Sequence, residues 1–180
     1  MSALWFAFLR GINLGKRQVK MAELRTCLEA AGFADVKTVV ASGNVRLRAE
    51  GTASAIKDKL EAAIAAQFGF DVGVVLRSET ELTAMLAQHP FGRLDPEADL
   101  TRHVLMFDRA LPPGITLADQ PGHTEIVRID ARDIYIAGYR QANGRYTEGV
   151  EDVLKPLYAQ LGKGGLDTMR NWNTMEKMLA

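Results

Sequence analysis

Apolar residues fill both parities of residues 4–9, with Leu4, Phe6 and Phe8 alternating with Trp5, Ala7 and Leu9. A short run of that kind predicts a central strand covered on both faces. Residues 10–20, RGINLGKRQVK, break the pattern with glycines and cations and read as a loop. Met21, Leu24, Leu28 and Ala31 then recur at helical spacing, with Cys27 beside that stripe and Gly32 as the stop. Residues 36–41 are β-branched and strand-like. Ser42-Gly43-Asn44 is a hairpin turn signal, because Gly and Asn tolerate positive φ. Val45, Arg46, Leu47 and Arg48 alternate apolar and basic, as a strand with one wetter face does. Ile56, Leu60, Ile64 and Phe68 mark a second helix, for which Thr52 or Ser54 is a cap. Residues 71–77, DVGVVLR, complete the pattern as a fourth strand. The order is β-α-β-β-α-β, the ferredoxin-like or α–β plait arrangement.

The second half is patterned less sharply. Ser78 and Glu81 have the S-x-x-E form of a capping box, opening a helix along Leu82, Met85, Leu86 and His89 that Pro90 ends. Residues 91–101 read as a polar connector. Strands are predicted at 104–107, 125–129 and 134–139. A helical stripe follows through Val150, Val153, Leu154, Leu157, Tyr158 and Leu161, with Pro156 expected in its first turn or at a kink. Asn173 and Glu176 are spaced as a capping pair in the terminal segment TMRNWNTMEKM. With no strong linker, the division expected is a first subdomain over 1–78 and a second over 79–180.

Composition narrows the function classes. In 180 residues, Lys+Arg and Asp+Glu balance at 22 each, whereas nucleic-acid binders are usually basic overall. Nucleic acid is therefore a disfavoured partner. One cysteine, Cys27, permits no intramolecular disulfide, and the three histidines lack metal-ligand spacing. The apolar run at the start is too short for a membrane span, so no membrane partner and a cytoplasmic location are the expectations. No cofactor and no oligomeric state can be named from the residues, and no catalytic motif decides whether the chain is an enzyme. GINLGK lacks the P-loop spacing, with Arg17 where Ser or Thr is needed.

Topology nevertheless locates a candidate site. In a βαββαβ unit the loop after strand one emerges beside the turn joining strands two and three. Arg10, Gly11, Asn13, Lys16, Arg17, Lys20, Ser42, Gly43 and Asn44 then share one rim. Glycine-rich loops and a helix N-terminus favour anions there, and Arg and Lys add charge-assisted hydrogen bonds. The plainer reading is a polar loop and a good turn. Cys27 reads as core packing, His89 as a helix-end group, and Glu79, Glu81, Glu148, Glu151 and Asp152 as helix-start carboxylates. His103 and His123 are expected to face each other across neighbouring strands.

LRGIN at 9–13, KMAELR at 20–25, ASGNV at 41–45 and RNWNT at 170–174 together resemble the bacterial family catalogued as domain of unknown function 1697. The resemblance implies an α+β fold of two packed plait-like subdomains, the second an incomplete variant, and no established activity. It adds Arg170, Asn171, Trp172 and Asn173 to the ligand-binding candidates, with Trp172 as a core anchor and the asparagines as caps in the plainer reading. Lys16 stands where the family often has a second glycine, and LDTM precedes RNWNT where a small-Thr-Thr pattern is more typical. The functional expectation is a small anionic ligand, phosphate- or carboxylate-bearing, at the rim. A hydrolase or transferase using that rim, or an interaction module, are the alternatives.

Overall fold

The computed structural model describes residues 2–40, 43–162 and 165–180. Its backbone separates into two compact units, Met1–Ala87 with Thr174–Ala180, and Gln88–Asn173.

The first unit contains β1 (Ala3–Arg10), α1 (Met21–Ala30), β2 (Ala34–Thr38), β3 (Asn44–Ala49), α2 (Ala53–Phe68), β4 (Gly73–Ser78) and α3 (Glu79–Ala87). Its sheet has the order β2-β3-β1-β4, and β1 runs antiparallel to both neighbours. That is the plait predicted from the hydrophobic pattern. Ala7 and Leu9 of β1 meet Val45, Leu47, Val74 and Leu76 in a core closed by Leu24 and Leu28 of α1 and Ile56, Leu60 and Ile64 of α2. The other parity of β1 is also buried: Phe6 and Phe8 have no exposed surface. Register places Phe6 between Arg46 and Arg77, and Phe8 between Asn44 and Val75, so this second face mixes apolar and polar groups. The α2 start is capped by Thr52, whose Oγ1 accepts from the Ala55 N–H at 3.2 Å. The capping box of α3 forms as predicted: Ser78 N–H donates to Glu81 Oε2 at 2.7 Å, and Glu81 N–H to Ser78 Oγ at 3.1 Å.

The second unit contains β5 (Leu100–Phe107), β6 (Thr124–Ile129), β7 (Asp133–Tyr139), α4 (Val150–Leu161), β8 (Asp167–Asn171) and the first two residues of α5 (Trp172–Leu179). Its sheet order, β6-β7-β5-β8, repeats that of the first unit. Irregular chain over residues 108–123 replaces the first crossover helix, which makes this plait incomplete. Leu105, Phe107, Ile134 and Ile136 pack beneath Val150, Leu154 and Leu157 of α4. Phe91, Tyr135 and Trp172 meet edge to face, with ring centroids 5.4–5.8 Å apart.

Several expectations change. The chain divides after Ala87, not after Ser78, because α3 packs on β1 and β4, and residues 174–180 return to the first unit. The connector 91–101 is not wholly polar: Phe91 is buried, and β5 begins at Leu100. The segment before Trp172 is a strand, which its polar residues at both parities conceal; pairing with β5 organises it. Asn171, not Asn173, caps α5, its Oδ1 accepting from the Asn173 N–H at 2.9 Å. Pro156 lies in the second turn of α4, where its missing N–H leaves the Asp152 carbonyl without its usual donor. His103 and His123 do not face each other across adjacent strands, because β7 runs between β5 and β6.

Candidate functional site

The rim begins where β1 ends. Gly11 and Gly15 adopt φ of 69° and 59°, and the chain folds back through a turn around Gly15 in which Arg17 N–H donates to the Leu14 carbonyl at 3.0 Å. Asn13 clamps this turn from outside, its Oδ1 accepting from Val19 N–H at 2.8 Å. Val19 and Ile12 are buried, which anchors both ends of the loop in the α1–α2 core. The residues between them are exposed. Lys20 then stands at the start of α1 without any side-chain cap, so first-turn N–H groups remain available beside it. Glu23 is the acidic residue in that turn.

The predicted meeting of loop and turn is present. Leu9 N–H donates to the Gly43 carbonyl at 2.9 Å. A Cβ built on Gly43 would stand 3.0 Å from Ile12 Cγ2 and 3.1 Å from Leu9 Cβ, and its φ is +80°. Close approach and backbone conformation both demand glycine here. Asn44 is buried and opens β3; its Nδ2 donates to the Val39 carbonyl at 3.0 Å while its own carbonyl accepts from Val39 N–H at 2.9 Å. Asn13 and Asn44 thus spend side-chain hydrogen bonds on shaping the rim. Ser42 lies outside the described residues.

Arg10, Lys16, Arg17 and Lys20 are exposed along this rim, and residues 10–22 contain no Asp or Glu. Among the described residues, Lys16, Arg17 and Lys20 have no carboxylate partner, although arginines elsewhere, such as Arg93 and Arg128, do. Arg17 lies instead with its guanidinium carbon 4.8 Å from the centre of the Phe70 ring. Phe70 precedes β4, whose Gly73 pairs with Arg10, so the chain entering β4 joins the same rim. Sequence reasoning missed this stack. Its only signal was an aromatic residue beside the fourth strand's start.

The RNWNT residues sit in the second unit up to Asn173. Arg170 pairs with Val104 in the β5–β8 ladder and donates to Thr168 Oγ1 and the Met169 carbonyl. Burial holds its pKa down to about 10. Trp172 is buried in the aromatic triad, and Asn173 accepts a 2.7 Å hydrogen bond from Arg102. Cys27 reaches the Ala63 carbonyl at 3.5 Å, and burial raises its thiol pKa, a packing environment for this residue. His103 is half-buried with Nε2 2.8 Å from Thr101 Oγ1, and desolvation lowers its pKa. No group of three or more His, Cys, Asp and Glu suited to a metal ion occurs among the described residues. Among the described residues, no helix is long and apolar enough to cross a membrane.

A family model described as a protein of unknown function, DUF1697, matches residues 3–135. The chain belongs to that family. The match spans the rim and most of both sheets of this DUF1697 protein. The chain is also similar to the solved structure of the conserved bacterial protein SP0830 from Streptococcus pneumoniae, at 21% identity. That likeness covers 99% of this chain and 97% of the other with a TM-score of 0.70, and it is one of fold. A comparison with curated proteins returns no match.

Proposed function

We propose that this DUF1697 protein binds a small anionic ligand, phosphate- or carboxylate-bearing, at the rim of its first unit. One observation carries the reading: exposed Lys16 and Lys20, without carboxylate partners among the described residues, stand on a segment whose backbone is already held. Asn13, the Leu14–Arg17 turn and the Leu9–Gly43 bond hold that loop before any ligand arrives. Preorganised cations lose less freedom on binding than mobile ones, and charge-assisted hydrogen bonds to phosphate or carboxylate are the stronger class. In the proposed site, Arg10, Lys16 and Lys20 supply charge, while Gly11, Gly15 and Gly43 let the backbone approach. Arg170, Asn171, Trp172 and Asn173 belong to the second unit.

Binding is preferred to catalysis because the cationic loop itself, residues 10–22, offers no Asp, Glu or His to act as general base. The acids nearby, Glu23 and Asp71, flank it, in the first turn of α1 and just before β4. The test is a thermal-shift panel of phosphate, sulfate, citrate and nucleotides. A ligand present at about ten times its Kd stabilises by roughly 1.4 kcal/mol. For a chain of this size that is a rise in Tm of about 3–6 °C. Arg10→Ala and Lys16→Ala are expected to remove the rise. A panel without any shift, or variants that keep the full shift, would defeat the proposal.

A further inference from the structure

The rim carries more than charge. Leu14 and Val40 are the most exposed large apolar side chains among the described residues, at 65% and 50%. They belong to the two connections that meet there: Leu14 opens the turn closed by Arg17, and Val40 follows β2, where Val39 bonds Asn44 and Gly43 bonds Leu9. Val40 is held at φ 57°, a conformation a β-branched residue adopts rarely. Arg17 is exposed with its guanidinium carbon 4.8 Å from the centre of the Phe70 ring, and a planar guanidinium is a group on which flat rings stack. A free phosphate or sulfate has no use for the apolar side chains or for stacking, whatever charge it takes from the cations. A ligand with an anionic end and a flat apolar body uses all of them.

We infer that the ligand is an aromatic phosphate ester, of which a nucleotide is the commonest kind, with the phosphate on the lysines and the ring against Arg17, Leu14 and Val40. This rests on the anion-binding reading above and names the class of ligand for the same site. Base-on-side-chain stacking tolerates many ring types, so the recognition is of shape and charge and not of one base.

Calorimetric titration of the full chain with inorganic phosphate, glycerol phosphate, phenyl phosphate and AMP tests it. The aromatic esters are expected to bind about tenfold or more tightly than either non-aromatic phosphate, the ordinary size of one stacking contact. Leu14→Ser and Arg17→Lys are expected to lower affinity for the aromatic esters and leave inorganic phosphate unchanged. Arg17→Lys keeps the charge and removes only the plane. Lys16→Ala is expected to weaken all four. Equal affinity for all four phosphates, or aromatic-ester affinity unchanged in both Leu14→Ser and Arg17→Lys, would overturn this inference and leave the anion rim standing. Failure of all four to bind would overturn both.

Discussion

Individual residues show how environment selects a role. Cys27 and His103 are residues that in other settings do chemistry, and here burial opposes the charged form of each. For His103 this has a consequence for stability. Its folded pKa lies below the usual 6.5, so between those two values the unfolded chain binds the proton more readily. The residue's contribution is fully present above pH 6.5, declines as pH falls through that window, and levels off below the folded pKa. An NMR titration of His103 is expected to give a midpoint below 6.5. His103→Gln is expected to flatten the pH dependence of urea denaturation in the same window. A midpoint at or above 6.5 would remove the basis for this expectation.

At the scale of elements, the pattern of hydrophobic positions was a reliable guide wherever one face of an element is apolar and the other polar. Both helices of the first plait were legible for that reason, its strand order followed from the order of elements, and the capping box of α3 was legible from its S-x-x-E spacing. Strand β8 was not, because Asp167, Thr168, Arg170 and Asn171 give no alternation, and its place is set by pairing with β5. The candidate rim depends on a contact between two connections, the loop after β1 and the turn before β3. Gly43 is the hinge of that contact. Gly43→Ala places a Cβ against Ile12 and Leu9 at φ +80°. It is expected to destabilise by roughly 1–3 kcal/mol in urea denaturation. The same variant should weaken anion binding, because the loop loses its support. Unchanged stability would show that the two connections are not coupled through this residue.

For the whole molecule, chain order and spatial grouping differ. Residues 174–180 are the last in the chain yet belong to the first unit. Arg46, on β3, donates to the carbonyls of Met178 at 3.1 Å and Ala180 at 2.9 Å. Hydrogen bonds from charged donors typically contribute about 1.5–3 kcal/mol. Arg46→Met is thus expected to lower stability by about 1–3 kcal/mol and to speed amide exchange in residues 175–180. Exchange there at the rate of the parent chain would show that Arg46 does not hold the segment. A pattern-based reading of Arg46 found only a wetter strand face, since nothing local to β3 points to a partner more than 130 positions later.

The sequence by itself determined the first βαββαβ unit, the meeting of the loop over residues 10–20 with Gly43 and Asn44, and the absence of acids on the rim's first loop. Those follow from short-range causes: periodicity, turn chemistry and charge along a few residues. Tertiary structure alone decided that Asn13 and Asn44 hold the rim's shape, that Arg17 rests on Phe70, and that the chain's end returns to β3. Each of these joins groups that local pattern treats separately, and only their meeting in the folded chain gives them a partner.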